Sequence, residues 1–590
     1  MIRKHILPIL LVIIIGAIAF RLSFGLSLFG DDWLVLYIFK YQVQHGNFGS
    51  IPFDLVSYLS PYGPTYLIMG IIDKFFGLNP IPYFAASLFF RSLVSISLYI
   101  LVFQITKNRL SAFVASLFWA VSEIGIESTN WVFNMNSYLG LAIFLIVVAL
   151  VLKYHETSKK ILLLTSVPLF LLSVISVPVR MHGAFIVLFL IETYFLFKNW
   201  KGIVSIKKFI LINSIWVISF FILSSWGVLG SGSSNFDTYV RKGLKENSEA
   251  MENGHYEQYL YPLTTIGNMI FTDQYMNHVQ IPRTVYKAQN MSWLRAFLLP
   301  FWVLFSIVLT ALGVLLIEKK NRKKFIIAIC LLMLILIFTI NFFVRISTNT
   351  MSPNTVFLTM VGGALIVTST LLIFFAKQDN IRKSLFIGLF WLVGFAAVPF
   401  VFTPLTYIPS AMRYLIAPGI SIAILIGVLF AIKKSNLQNF MLALLVIPLY
   451  LIQYSSTQSY LKNLIVTHSE DISQTVWKNI LTKIPNLDPK KDYLFYFEPK
   501  NGNDSIVRDV ITFGFIPRMI VYEKSPDRPG SLYVIENREQ FKSAIKDGEK
   551  LKGFNWGVAK KIDVRNTFAF RLEPDNSLTD IKSEILYGTR

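Results

Sequence analysis

The chain has 590 residues, 54% hydrophobic and only 15% charged, with a net charge of +21. A soluble protein of this size carries about a quarter charged residues, so a water-soluble globular fold is excluded, and a positive charge spread through short loops speaks for membrane topology rather than nucleic-acid binding. The single cysteine, Cys330, excludes an intramolecular disulfide and a cysteine zinc site.

Apolar runs near 20 residues, each long enough to cross a bilayer, recur along the chain. In order, the expected spans are Ile6–Leu28, Pro80–Thr106, Leu110–Gly125, Ser137–Leu152, Ile161–Val177, Ala184–Phe197, Phe209–Leu229, Trp293–Ile317, Phe325–Phe343, Thr355–Phe375, Leu385–Phe402, Ala411–Ile432 and Phe440–Tyr454, about thirteen helices. The first follows Met1-Ile-Arg-Lys-His and reads as a retained helix, since no small-residue cleavage site leads into a soluble domain. Pro64–Leu78 is apolar but short and holds Asp73 and Lys74, so it reads as an interfacial or re-entrant helix.

The basic loops alternate along this assignment. Arg3/Lys4, Lys107/Arg109, Lys153/Lys159/Lys160, Lys198/Lys201/Lys207/Lys208, Lys319/Lys320/Arg322/Lys323/Lys324, Lys377/Arg382/Lys383 and Lys433/Lys434 fall on one side, which the positive-inside rule makes cytoplasmic. Trp33, Trp131, Trp226 and Trp293 then fall near the outer interface as an aromatic belt. Segments 30–79, 230–292 and 455–590 are expected outside. In the last, charges of both signs return; Tyr493–Phe497, Met519–Tyr522, Leu532–Ile535 and Thr567–Arg571 read as strands and Glu539–Lys546 as a helix. The expected fold is thus an all-α polytopic membrane domain, residues 1–454, with a small extracytoplasmic α/β domain, residues 455–590. The N-terminus is expected in the cytoplasm of a multi-pass cell-membrane protein.

Ionisable residues at the membrane are functional candidates. The outer side gathers Asp31, Asp32, Asp54 and Asp73 in the first loop and Glu123 and Glu127 at the end of the third span, with Arg21, Arg180, Arg345 and Arg413 as the basic exceptions to positive-inside. Two carboxylates at a lipid–water boundary are costly unless solvated, paired or bound to a cation. They suit deprotonation of an acceptor or the holding of a metal. Glu123 and Glu127, at i and i+4, are expected to share a helix face. Arginine suits phosphate through its planar fork of donors. Plainer readings stand beside these: Asp31-Asp32 as the start of a solvated loop, Glu123 and Glu127 as solvated helix-end acids, Arg180-Met-His182-Gly as a tight turn, and Arg413 as a snorkelling side chain. Arg91, well inside a span, needs a partner in either the protein or a substrate. No P-loop, Gly-x-Ser-x-Gly elbow or His-Glu-x-x-His motif occurs.

The first 110 residues resemble the GT-C superfamily of membrane glycosyltransferases, which includes protein mannosyltransferases, aminoarabinose transferases and oligosaccharyltransferases. The resemblance is carried by Arg21, Asp31-Asp32-Trp33, Tyr37 through Gly46, Ser60-Pro61-Tyr62-Gly63-Pro64-Thr65-Tyr66, Phe75-Phe76-Gly77 and Phe90-Arg91-Ser92, with a later Arg413-Tyr414-Leu415-Ile416-Ala417-Pro418. It implies an inverting transfer from a polyprenyl-phosphate sugar, or a polyprenyl-diphosphate glycan, to a glycan, lipid or protein acceptor. Asp31 or Asp32 would be the general base, and Glu123 and Glu127 would assist or bind metal. Arg413, with Arg345 or Arg180, would hold the donor phosphate. It also implies a divalent ion, Mg or Mn, at Asp31 and Glu127. The oligosaccharyltransferase Trp-Trp-Asp motif is absent, Trp477 and Trp556 standing alone, so asparagine glycosylation is not expected. Three competing readings are a transporter or flippase for a lipid-linked solute, an acyltransferase using His182, and a non-catalytic scaffold.

Overall fold

The structure, a computed structural model, describes residues 3–38, 40, 62–225, 233–278, 317, 320–349, 351–376, 378–402, 408–431, 436–484, 486–500, 502–524, 531–535, 537–546, 549–550, 559–560 and 562–588. Among these, six helices are long and apolar enough to cross a bilayer: Pro80–Thr106, Val132–Thr157, Arg180–Lys198, Ile203–Leu223, Arg322–Ile346 and Asn354–Phe375. Apolar helices at Lys4–Ala19, Arg109–Val121, Lys160–Ser176 and Arg413–Val428 are shorter. The expected Leu385–Phe402 and Phe440–Tyr454 lie in the further helices Asp379–Phe402 and Asn436–His468; the full count of about thirteen spans goes beyond what the described residues establish. Several apolar runs stop as helices before the roughly 30 Å of a hydrocarbon core is crossed. The expected span Trp293–Ile317 lies outside the described residues except for Ile317.

The expected third span shows why. Its helix runs only Arg109–Val121, Ser122 turns to an extended backbone, and a second short helix, Ile126–Asn130, follows from Gly125. Glu123 and Glu127 are thus not on one helix face as expected: the first lies in the turn and the second in the new helix. Carbonyls freed by such a break need donors where water is scarce. Arg91 supplies them. Its guanidinium donates to the carbonyls of Ser122 at 2.5 Å, Trp119 at 3.2 Å and Ile124 at 3.3 Å, and to Tyr138 Oη at 2.8 Å and Thr129 Oγ1 at 3.2 Å. The Phe20 ring covers it at 4.2 Å. Arg91 therefore has its partners in the protein.

The helix Gly63–Phe76 stands where an interfacial helix is expected, with Leu67, Ile71 and Phe75 exposed one above the other at i, i+4 and i+8, and Met69 and Ile72 buried behind. Farther on, Asn436–His468 runs as one helix of 33 residues and leads through Glu470–Lys483 into a four-stranded sheet. Its strands are β1 (Tyr493–Pro499), β2 (Leu532–Ile535), β5 (Thr567–Leu572) and β6 (Leu578–Asp580); a two-stranded ribbon, β3 (Glu549–Lys550) and β4 (Ala559–Lys560), lies apart. The order is β2-β1-β5-β6, with β1 parallel to β2 and β5, and β6 antiparallel to β5. β1 is central and buried on both faces, hence its unbroken apolar run. Met519–Tyr522, expected as a strand, lies in the helix Phe515–Glu523. Gly514, at φ +87°, turns the chain into it, and Phe515/Met519 and Ile516/Ile520 bury at helical spacing.

Replacing Arg91 with Leu is expected to leave buried carbonyls of the broken segment without donors, at about 1–3 kcal/mol each. The variant should lose roughly 3 kcal/mol or more, read as a lowered unfolding midpoint in detergent.

Candidate active site

The acidic pair opens the helix Asp31–Tyr37, entered through Gly30 at φ +57°. Trp33 Nε1 donates back to the carbonyl of Leu28 at 2.9 Å and closes that turn. The two carboxylates separate at once. Asp32 is fully buried; its Oδ1 accepts the N–H of Phe133 at 2.7 Å and its Oδ2 that of Phe29 at 3.3 Å. Burial pushes its carboxyl up to about 8 despite these donors. Asp31 is half-buried, and burial raises its pKa while the charge of Arg413 opposes that rise.

The second outer segment meets the chain before Arg413 backbone to backbone. Gly125 N donates to Ser410 O and Glu127 N to Ala411 O, both at 3.3 Å, and Arg413 N donates to Glu127 Oε2 at 3.2 Å. Gly125 is at φ +74°, and a Cβ there would stand 2.5 Å from Ile416 Cγ1, so this crossing needs a glycine. Burial raises the Glu127 pKa, against the lowering effect of the bond from Arg413 and of the Arg413 and Arg180 charges.

Arg180 donates to Asn134 Oδ1 at 2.6 Å, to Ser137 Oγ, and to Ser128 Oγ at 3.4 Å. It does not sit in a tight turn: it belongs to the first turn of the helix Pro178–Lys198. Tyr414 lies beside both arginines, its ring 5.5 Å from the Arg180 guanidinium and 5.1 Å from that of Arg413. Trp131 covers Arg413 at 4.7 Å and stacks on Phe29 at 5.9 Å. Arg180, Arg413 and Tyr414 line a small cleft with Leu141, Val177, Met181, Phe395, Ile416 and Pro418.

The structure thus brings together Asp31, Glu127, Arg180 and Arg413. Glu123 is 2% exposed, its backbone N–H held by Gln453 Oε1 at 3.1 Å, and it is not among the residues that line the cleft. Arg345 is exposed in the last turn of Arg322–Ile346, a helix that packs on Tyr256–Leu260. Of the expected aromatic belt, Trp33 and Trp131 are built into the site, while Trp226 and Trp293 lie outside the described residues. Asn134 and Ser137 were not legible as site residues, and Tyr414 entered only within the Arg413–Pro418 motif, without a role. Of the three, only Tyr414 had a signal, its adjacency to Arg413.

A divalent ion at Asp31 and Glu127 has a poor donor set. Among the described residues no three His, Cys, Asp or Glu side chains gather around a common point. Two guanidinium groups stand beside these two acids instead. Among the described residues, Asp31 and Glu127 therefore have no third acidic, histidine or cysteine donor with which to hold a metal ion.

No family model matches the chain, and no curated protein matches it by sequence. Two solved structures of oligosaccharyltransferases from Archaeoglobus fulgidus are similar to it at low level. One is AglB in complex with an inhibitory peptide and a dolichol-phosphate: 12% identity, TM-score 0.38, 98% of this chain and 74% of that one. The other is an oligosaccharyltransferase tethered to an acceptor peptide: 12% identity, TM-score 0.26, 83% of this chain and 61% of that one.

Because the folded-state pKa of Asp32 lies above its unfolded value, its contribution to stability is fully present below the ordinary aspartate range and is lost as pH climbs to about 8. Asp32→Asn, which keeps an oxygen for the Phe133 N–H, is expected to flatten the decline in unfolding midpoint between about pH 4 and 8. Thermal scans across that range check this.

Proposed function

We propose that this chain is an integral-membrane glycosyltransferase that moves a sugar from a polyprenyl-phosphate donor to an acceptor outside the cytoplasm. The observation that carries the reading is the meeting of two arginines, two carboxylates and an apolar cleft at one place. The GT-C resemblance of the first 110 residues points the same way. Apolar walls suit the isoprenoid next to the phosphate. Arg180 and Arg413 suit the phosphate oxygens, and their attraction grows as the leaving group gains charge.

Asp31, half-buried with a raised pKa, is the general base. The acceptor hydroxyl oxygen attacks the anomeric carbon from the face opposite the phosphate, and its proton passes to Asp31. The anomeric C–O bond breaks, the electron pair leaves with the polyprenyl phosphate, and the configuration inverts. Glu127 keeps Arg413 in place through the backbone bond. Asp32, held mostly protonated near neutrality, fixes the start of the helix without adding a second negative charge beside Asp31. In the membrane the basic loops lie in the cytoplasm. The cleft and the C-terminal residues 455–590 face outward, where a lipid carries the activated sugar to a compartment without nucleotide donors.

Purified protein in nanodiscs, given a panel of radiolabelled polyprenyl-phosphate sugars and acceptors, tests the proposal through release of labelled sugar. Asp31→Asn is expected to lower turnover by about 10²–10⁴ with little change in donor affinity. Arg180→Gln is expected to weaken donor binding by about ten- to a hundredfold. The acid limb of the pH–rate profile should lie above the ordinary aspartate range, since Asp31 works only when ionised. Donors bound but never consumed by the wild type would overturn the assignment in favour of a lipid-linked solute transporter.

A further inference from the structure

Arg518 is a buried charge that the chemistry above does not use. It is 3% exposed, in the C-terminal helix Phe515–Glu523. Its guanidinium lies 4.3 Å from the ring centre of Trp33 and 4.3 Å from that of Trp477, with Tyr522 at 5.6 Å. Its hydrogen bonds are to neutral oxygens, Ser473 Oγ at 3.0 Å and Tyr522 Oη at 3.4 Å, and Nε has no partner. Among the described residues no carboxylate lies within ion-pair distance of it, and the charge of Glu470 acts on it from farther off. Burying a guanidinium against aromatic faces, with two neutral hydrogen-bond partners and only the more distant Glu470 charge, is costly, and a well-packed apolar side chain would serve packing as well or better. The charge therefore does something that packing does not require.

What it grips is the second residue after Asp31. Trp33 belongs to the acidic helix, and its indole N–H closes the Leu28–Gly30 turn that sets the helix's first residue. The same C-terminal segment also presses on that turn from another side. A Cβ on Gly30 would stand 2.1 Å from Phe513 Cε1, and one on Gly514 would stand 2.6 Å from the Gly30 carbonyl oxygen. Both glycines have positive φ, +57° and +87°, so two backbones approach here as only glycines permit. Phe513 further meets Trp131, the ring over Arg413, at 5.6 Å.

We infer that Arg518 is a positioning residue: held between Trp477 and Trp33, it fixes the acidic helix so that Asp31 stands toward Arg413, and the C-terminal segment is thereby part of the active site's frame. This rests on the reading of Asp31 as the base. Displacement of a reacting group by about 1 Å can cost on the order of 10² in rate, and a cation between two indoles resists sliding of the helix in a way an alkyl chain does not.

The test uses the full chain in nanodiscs with Arg518→Met, Arg518→Lys, Trp33→Phe and the Arg518→Met/Trp33→Phe pair. Turnover of the polyprenyl-phosphate sugar that the wild type consumes is measured beside hydrogen–deuterium exchange of residues 28–37. Arg518→Met and Trp33→Phe are each expected to lower kcat about 10- to 100-fold, to leave donor KM within about twofold, and to speed exchange in 28–37 alone. Arg518→Lys, which keeps the charge and loses the plane, should lie between. The double variant should be no slower than the slower single, because both remove one contact. Unchanged kcat and exchange in Arg518→Met would overturn the inference. So would exchange that rises throughout 455–590, since Arg518 would then serve only that segment's own folding. A wild type that consumes no donor overturns the proposed function instead, and exchange in 28–37 still judges the clamp.

Discussion

The arrangement depends on a charge placed among carbonyls. Arg91 sits where the helix Arg109–Val121 gives out, and three of its bonds go to backbone oxygens there, Trp119 in its last turn and Ser122 and Ile124 just beyond it. Without that donor, a break at this depth leaves polar groups facing an apolar interior. With it, residues 122–130 can turn, start a second short helix and return through Gly125 to the segment before Arg413. Glu127 reaches Arg413 only because the third apolar run stops being a helix at Val121.

The same economy governs the glycines of the site. Gly125 admits the Ile416 side chain, and Gly419 in the facing helix admits Ile124, whose Cγ2 would lie 2.6 Å from a Cβ there. These two contacts interlock the turn of the second outer segment with the start of the helix Ile416–Val428. Arg413 precedes that helix by one turn and inherits its position from it. A larger residue at either glycine would push apart the two strands of chain that carry the arginine and its acid.

Much of this was legible in the sequence, and what was not has physical causes. The acidic pair, Glu127, Arg180 and Arg413 announce themselves because charge near a membrane is rare. Arg345 carries the same signal and lies elsewhere, since loop charge bears on the expected side of a bilayer but not on which neighbour a residue meets. Glu123 and Glu127 failed as an i,i+4 pair because the apolar run continued past the helix end, and hydropathy cannot see a backbone break that an arginine 31 residues earlier repairs. Met519–Tyr522 reads as a strand because a short buried apolar run looks alike in both states; the helical spacing emerges only when Phe515 and Ile516 are counted with it. Trp33 and Trp131 read as belt residues because each lies near the end of an apolar run, and nothing local in the sequence shows the guanidinium, of Arg518 and of Arg413, that each ring meets.

The arginines differ in what answers their charge, and that difference assigns their work. Arg91 spends its donors on carbonyls and hydroxyls and is closed to any ligand. Arg518 is closed by two indoles. Arg180 is oriented by Asn134, Ser137 and Ser128, neutral groups that aim a guanidinium without cancelling it, and Arg413 faces the acids through its backbone N–H and its charge. Of the four, only these last two line the cleft. Their mutual repulsion is balanced by Asp31 and Glu127 when both are ionised, yet burial favours the neutral form of each acid. Each carboxylate that gains a proton leaves a positive charge unanswered beside an apolar cleft, and the lipid phosphate of the proposed function is a ligand that would answer it. On the proposed reading, proton uptake by Asp31 and charge development on the departing phosphate would favour one another, because protonation removes one of the two negative groups beside Arg413, leaving Glu127.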